Sequence, residues 1–143
     1  MSDKYFLDTN ILIYTFDSRA KKKRAIAMDL VEDALSQNSG IISYQVVQEF
    51  LNVATRKFTK PMNTDEAKEY LNQVLMPLCE VYPNNLLYQT ALTIAQDTGY
   101  SWYDSLIISS AKSANCSIIY SEDMHDGHKV SGLSIVNPFS KSL

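Results

Sequence analysis

Tyr5-Phe6-Leu7-Asp8-Thr9-Asn10 is the stretch that decides the fold. Apolar and aromatic residues are followed at once by an acid, which predicts a short buried strand ending in a carboxylate. In open α/β sheets, ligands bind just beyond the carboxyl ends of the strands. A buried, unpaired carboxylate is costly, so Asp8 requires a hydrogen-bond donor, a cation or a metal. Alternatively, Asp8 or Asn10 could act as the N-cap of a helix over residues 11–16.

Strands and helices alternate along the rest of the chain. Strands are predicted at about 4–8, 41–42, 79–82, 117–120 and 133–136, and helices at about 22–37, 44–57, 64–76, 85–98 and 101–115. Residues 121–132 are predicted to form a polar loop. This alternation predicts a mostly parallel sheet covered by helices on both faces. Because the chain has 143 residues and no linker-like segment, we expect a single domain over residues 1–143.

Two local expectations concern the first long helix and the residue that follows it. The apolar residues of this helix fall near helical spacing and are expected to face the core: Ala25, Met28, Leu30, Val31, Ala34 and Leu35. After Asn38-Ser39, Gly40 is expected to end the helix with a positive φ.

Composition and charge limit the class of protein. The chain is 45% apolar and 20% charged, which is typical of a globular domain. Cys79 and Cys116 lack metal-ligand spacing and are expected to be reduced core thiols of an intracellular protein. No leader precedes the first strand and no apolar run could span a membrane, so a cytoplasmic location is expected.

Basic residues are clustered despite the net charge of −3. One run is Lys21-Lys22-Lys23-Arg24, and Arg56, Lys57 and Lys60 form a second group. Such runs are usually solvated helix faces, but they could also guide a polyanion toward an acidic centre.

Three more acids occur at joints between elements, and each has a structural alternative. Glu49 lies on a largely apolar helix, on the same face as Gln45, and could be a solvated side chain. Asp104 matches a Ser-x-x-Asp capping box that begins at Ser101. Asp123 follows the predicted strand 117–120, where Asp also favours turns. If Asp8, Glu49, Asp104 and Asp123 converge, they form an all-oxygen pocket that requires a divalent metal.

The four acidic segments resemble, in order, the motifs of the PIN-domain family, and especially of the VapC-type ribonuclease toxins. The matching segments are Phe6-Leu7-Asp8-Thr9-Asn10-Ile11-Leu12, Ser43-Tyr44-Gln45-Val46-Val47-Gln48-Glu49-Phe50, Ser101-Trp102-Tyr103-Asp104-Ser105-Leu106-Ile107, and Ser121-Glu122-Asp123-Met124 with Val136-Asn137-Pro138-Phe139. The resemblance covers nearly the whole chain. It implies a three-layer α/β/α fold with a mostly parallel sheet.

The resemblance also implies a function and partners. It implies a ribonuclease that uses Mg²⁺ or Mn²⁺, with Asp8, Glu49 and Asp104 as principal acids and Asp123 as the best match for a variable fourth. Glu122 and Asp126 are rivals for that fourth position. Polar neighbours that support the metal are implied at Thr9, Asn10 and Ser121. An RNA substrate, an antitoxin and a homodimer are implied as partners.

Other functions are weaker. A non-catalytic PIN-like module that binds RNA or protein is the chief alternative, and the presence of all four acids disfavours it. A phosphotransferase of the haloacid-dehalogenase type would need a second Asp two residues after Asp8, where Asn10 stands. Nucleotide binding through a glycine-rich loop is excluded, since no such loop occurs. His125 and His128 are expected to be solvated loop residues, whereas Tyr14, Tyr44, Trp102 or Tyr103 could stack on a base.

Overall fold

The computed structural model describes residues 4–140 and contains a six-stranded sheet. The strands are β1 (Tyr5–Leu7), β2 (Gly40–Ser43), β3 (Cys79–Val81), β4 (Ile118–Tyr120), β5 (Lys129–Val130) and β6 (Leu133–Val136). The helices are α1 (Thr9–Tyr14), α2 (Lys21–Gln37), α3 (Tyr44–Arg56), α4 (Thr64–Tyr70), α5 (Met76–Leu78), α6 (Asn85–Thr98) and α7 (Trp102–Ser113). A π-helical segment, Leu71–Leu75, joins α4 to α5. The expectation that no leader precedes β1 concerns residues 1–3, which lie outside the described residues.

The sheet has the strand order β3-β2-β1-β4-β6-β5 and is parallel except for the β5–β6 pair. Its centre is apolar: Phe6 of β1 pairs with Ile41 of β2 on one side and Ile119 of β4 on the other, and all three are fully buried. Helices flank both faces, so the predicted three-layer α/β/α fold is confirmed. Strands buried on both faces of a parallel sheet are mostly apolar, which agrees with the short apolar runs of β1 and β4.

The predicted polar loop 121–132 was wrong in part. Lys129 and Val130, near its end, form β5, which pairs antiparallel with β6 through Lys129–Ser134 and Val130–Leu133. Ser131 and Gly132, both at positive φ, make the turn between them. A two-residue strand offers too little periodicity to be recognised from sequence.

The apolar face of α2 was also predicted incorrectly in part. Ala27, Val31 and Ala34 are its buried residues, whereas Met28 and Leu35 are 45% and 39% exposed, and Ala25 is exposed. The helix packs through a narrow stripe of small side chains, so the adjacent larger apolar residues remain at the surface.

Cys79 and Cys116 are both buried and free, as predicted. Among residues 4–140, no helix has both the length and the apolar character that crossing a bilayer would require.

Gly40 has a different role from the one expected. Asn38, at φ 57°, takes the left-handed position that ends α2, and Gly40 lies inside β2. A Cβ atom built on Gly40 would lie 2.3 Å from the Cβ of Ala34 and 2.7 Å from Cε1 of Tyr5. The absence of a side chain therefore lets α2 approach the sheet.

We expect Gly40→Ala to lower the free energy of unfolding by about 1–3 kcal/mol, because the added methyl group overpacks the α2–β2 contact. Urea unfolding monitored by circular dichroism measures the change. Ala34→Gly alone should cost ~1 kcal/mol, because glycine is unfavourable inside a helix. If the two positions are in contact, the double variant should lose less stability than the sum of the two single losses. Additive losses in the double variant would show that this contact is not the cause.

Candidate functional site

The four predicted acids line one cavity of about 330 Å³. Asp8 follows β1, Glu49 lies on α3, Asp104 is in the first turn of α7, and Asp123 is in the loop after β4. The other lining residues come from the same elements: Thr9, Asn10, Ile13, Gln45, Asn52, Val53, Tyr103 and Ile107. Side chains separated by more than one hundred residues in sequence therefore meet at one place.

Sheet topology explains the convergence. β2, β1 and β4 are neighbouring parallel strands, so their carboxyl ends lie at the same edge of the sheet. The chain passes from β1 to β2 on one side, whereas β4 is added on the other side of β1. Such a switch point leaves a crevice at the carboxyl end of the first strand. Asp8 is the residue that follows that strand.

Asp8 is held by two neutral donors. Its Oδ1 accepts a hydrogen bond from the backbone N–H of Thr9 (2.8 Å), and its Oδ2 accepts one from Oγ of Ser121 (2.7 Å). The first bond makes Asp8 the N-cap of α1. Capping and cavity lining therefore coexist at this residue, which is only 7% exposed.

Glu49 is fixed by a hydroxyl and an amide. Thr9 Oγ1 donates to Glu49 Oε1 at 2.5 Å, and Gln45 Nε2 donates to Glu49 Oε2 at 3.2 Å. Gln45 also donates to the backbone carbonyl of Tyr103 (3.3 Å), which ties α3 to the start of α7. The four-residue spacing of Gln45 and Glu49 had predicted their common helix face.

Asp104 and Asp123 lie nearer to solvent. The backbone N–H of Asp104 donates to Oγ of Ser101 (3.1 Å), so Ser101 caps α7 as predicted and the Asp104 carboxylate stays available to the cavity. Asn10 Nδ2 donates to Asp123 Oδ2 at 3.0 Å, and the backbone N–H of Asp123 donates to Ser121 Oγ at 3.2 Å. Ser121 thus links Asp8 to the loop that carries Asp123.

The structure separates the three acids of this loop. Glu122 pairs with Lys23 and accepts a hydrogen bond from the Tyr14 hydroxyl (2.6 Å). Asp126 accepts from the backbone N–H of Asn137 (2.9 Å). Asp123 is the only one of the three that lines the acidic cavity. That Asp123 is the fourth acid stays a prediction, and its place in the cavity lining favours it over Glu122 and Asp126.

The cavity carries uncompensated negative charge. Within residues 4–140, none of the four acids forms an ion pair with lysine, arginine or histidine. Burial raises the pKa of Asp8 from 3.8 to about 6, opposed by its bonds to Ser121 and Thr9 and reinforced by the charges of Glu49 and Asp123. Burial also raises the pKa of Asp104, and the carboxylates of Asp123 and Glu49 add to this effect.

The donor set is the kind that Mg²⁺ or Mn²⁺ prefers. Every polar side-chain group that lines the cavity is a carboxylate, an amide or a hydroxyl. In the described part of the chain, no three acidic, histidine or cysteine side chains already stand in an arrangement that could hold an ion. Mg²⁺ retains several waters when one or two carboxylates bind it, so a cavity that admits water accommodates such a site. The residues therefore fit a hydrated divalent cation.

No residue of the two basic runs lines the acidic cavity. Lys23, from the first run, pairs with Glu122 and lies 5.0 Å from the centre of the Tyr14 ring. His125 and His128 are exposed, and the Tyr100 hydroxyl lies 2.9 Å from His128 Nδ1. Neither histidine lines the acidic cavity.

Sequence reasoning missed part of the lining. Of the aromatic candidates Tyr14, Tyr44, Trp102 and Tyr103, only Tyr103 lines the acidic cavity. Asn52 lines it but was not singled out, although it lies three residues after Glu49 and therefore on nearly the same face of α3.

Without metal, we expect Asp8→Asn to stabilise the protein at pH 8 by about 1–3 kcal/mol. The folded chain holds the Asp8 proton more tightly than the unfolded chain, with pKa values of about 6 and 3.8. The resulting penalty is absent below pH 4, grows up to about pH 6 and is fully present above it. Denaturation in EDTA at pH 4 and pH 8 measures it, with Asp29→Asn on the exposed side of α2 as the control. An equal effect of Asp8→Asn at both pH values would contradict this prediction.

Comparison with known proteins supports the fold and the family. Among solved structures, a chain from a toxin–antitoxin complex of Klebsiella pneumoniae is 18% identical with a TM-score of 0.68, covering 95% of this chain and 98% of that one. A chain of DNA-bound VapBC from Salmonella typhimurium is 18% identical with a TM-score of 0.65, covering 94% and 97%. Mycobacterium tuberculosis VapC20, a sarcin-ricin-loop-cleaving toxin, is 16% identical with a TM-score of 0.59, covering 84% and 90%.

At these identities the structural matches establish a shared fold. No curated protein matches the sequence significantly. The family model of the PIN domain, however, matches residues 5–126, which is most of the chain and includes all four acids of the cavity. The protein therefore belongs to the PIN-domain family.

Proposed function

We propose that this protein, acting as a single PIN-like nuclease domain over residues 1–143, is a metal-dependent endoribonuclease. The observation that carries the proposal is the convergence of Asp8, Glu49, Asp104 and Asp123 on one cavity whose charge no basic side chain in residues 4–140 neutralises. When bound, Mg²⁺ or Mn²⁺ would activate water and neutralise charge on the scissile phosphate.

The four acids have distinct roles in the proposed site. Asp8 and Asp104 are the direct ligands, because burial and neighbouring carboxylates make a cation most favourable there. Glu49 and Asp123 bind the cation directly or through water, or orient the attacking water. Thr9, Ser121, Asn10 and Gln45 hold these carboxylates by neutral hydrogen bonds, which position the oxygen atoms and leave their negative charge in place.

We further propose that the protein is the toxin of a type II toxin–antitoxin pair. The fold similarity to chains described as parts of VapBC and toxin–antitoxin complexes supports this assignment. The proposal includes a cognate antitoxin as partner, a homodimeric state and a cytoplasmic location. A small DNA-binding protein encoded by the adjacent gene, co-purifying with this chain and restoring growth when co-expressed, would support the pairing. Growth arrest that such a protein fails to relieve would count against it.

We expect Asp8→Asn to reduce Mg²⁺-dependent RNA cleavage by at least about 100-fold, because the amide cannot supply the anionic ligand. Labelled RNA is incubated with purified protein over a Mg²⁺ or Mn²⁺ titration, and RNA ends are sequenced after expression of each form. Asp29→Asn serves as the matched control and should cleave normally.

The same experiment tests the alternative. A non-catalytic PIN-like module would bind RNA equally well in both forms and cleave in neither. Full cleavage by Asp8→Asn, or cleavage that persists in EDTA, would defeat the proposed metal site.

Asp123→Asn should raise the Mg²⁺ concentration needed for half-maximal cleavage by about 10-fold, because a carboxylate at the cavity rim is lost. Asp126→Asn, three residues away in the same loop but outside the cavity, should change it less than twofold. The comparison uses identical RNA and one Mg²⁺ titration for each protein. A larger shift for Asp126→Asn than for Asp123→Asn would reverse the assignment of the fourth acid.

A further inference from the structure

A second and larger cavity adjoins the acidic one. Its volume is about 570 Å³, within the range of small-ligand sites, roughly 300–1,000 Å³. Ile13 of α1 and Val53 of α3 line both cavities, so the two are neighbours along these helices. The remaining lining comes from the loops after α1 and α3: Phe16, Asp17, Ser18, Arg19, Lys57, Phe58, Thr59 and Lys60. We call this space the aromatic cavity.

Two aromatic rings form one side of the aromatic cavity. Phe16 and Phe58 lie 5.3 Å apart between ring centres, and both contact the fully buried Phe50. Phe16 also meets Tyr70 edge-on at 5.3 Å. Although packed on these rings, Phe16 remains 43% exposed. A rigid aromatic surface facing an open cavity is suited to stacking a planar group.

Positive charge borders the same space. Lys57 and Lys60 are exposed, and neither forms an ion pair within residues 4–140. Arg19 is also present, but it binds Asp17 at 3.2 Å. The cavity thus combines aromatic rings with two unneutralised cations beside a strongly acidic centre. That combination suits a group that is both planar and anionic.

Negative charge beside the aromatic cavity limits where an anion bound there could extend. A third cavity, of about 330 Å³, shares Phe16, Phe58 and Lys60 with the aromatic cavity but adds Glu66 and Glu69. These carboxylates disfavour a phosphate on that side. Once a cation neutralises the acidic cavity, a polyanion that reaches it would therefore extend more favourably into the aromatic cavity than into the third cavity.

We propose that the aromatic cavity is a nucleotide subsite for single-stranded RNA, which holds one base against Phe16 while Lys57 and Lys60 contact the flanking phosphates. The proposal rests on the proposed function, since it concerns RNA that also reaches the acidic cavity. Each base has a π-face, so stacking there contributes affinity without requiring one base.

Binding assays with two strands test the proposal. The probes are a fluorescent single-stranded RNA 12-mer of mixed sequence and an abasic 12-mer with the same sugar-phosphate backbone. Both are measured in Ca²⁺, which carboxylates can bind, and a gel verifies that the strands stay intact. Phe16→Leu, which keeps an apolar side chain but removes the ring, should weaken binding of the RNA about 5- to 20-fold. It should leave binding of the abasic strand unchanged. Tyr82→Leu, at an exposed tyrosine outside these three cavities, is the matched control and should alter neither.

The lysines give a different signature. Lys57→Ala and Lys60→Ala should weaken binding of both strands equally and reduce the slope of log Kd against log salt by about 0.7 each. Lys112→Ala, at an exposed lysine near the end of α7, is the charge control and should leave the slope unchanged.

The outcomes separate this proposal from the proposed function. Ring-dependent binding without cleavage would support the subsite and remove the nuclease. Mg²⁺-dependent cleavage with a KM unaffected by Phe16→Leu, or RNA and abasic strands weakened alike by it, would remove the subsite alone. A wild-type chain that binds neither strand would overturn the subsite. So would loss of antitoxin binding in Phe16→Leu while RNA binding is unchanged, because the cavity would then serve a protein partner.

Discussion

Four carboxylates share one cavity and are held there by neutral donors rather than by basic side chains. An amine or guanidinium would fix an acid equally well, but it would also cancel the charge. Serine, threonine, asparagine and glutamine fix the oxygen atoms and leave the negative potential intact. Burial of Asp8 intensifies the repulsion, since two carboxylates repel each other more strongly in a low-dielectric surrounding than in water. The architecture around the sheet edge is best understood as support for this unfavourable concentration of charge.

The fold can hold that charge because its central part is rigid and apolar. Asp8 extends from a strand paired on both sides, and Ser121, its hydroxyl partner, follows the neighbouring strand β4. Gly40 lets α2 lie close against β1 and β2 at the other end of these strands. The stability of a well-packed sheet therefore compensates for the electrostatic cost at its edge, a division of roles common at functional sites.

The sequence was sufficient for the strand–helix alternation, most element boundaries and the four acids that converge. These features depend on short-range signals: apolar runs for β1 and β4, and the cap at Ser101. What it could not supply depends on tertiary contact. The buried stripe of α2 is set by the closeness of β2, which favours alanine over the larger Met28 and Leu35. The pairing of Lys23 with Glu122 joins residues 99 positions apart, and no local pattern distinguishes Asp123 from its neighbours.

In the chain, helix α1 lies between Asp8 of the acidic cavity and Phe16 of the aromatic cavity. It has six residues, begins directly after Asp8 and ends two residues before Phe16. At about 1.5 Å per residue, the six helical residues span roughly 9 Å, and one turn residue, Thr15, separates the helix from Phe16. In the proposed mode of RNA binding, the length of α1 would set how many nucleotides separate the stacked base from the bond that is cut. Changing the length of α1 by one residue would rotate the ring by about 100° around the helix axis, so the cleavage position would be a property of helix length as well as of base recognition.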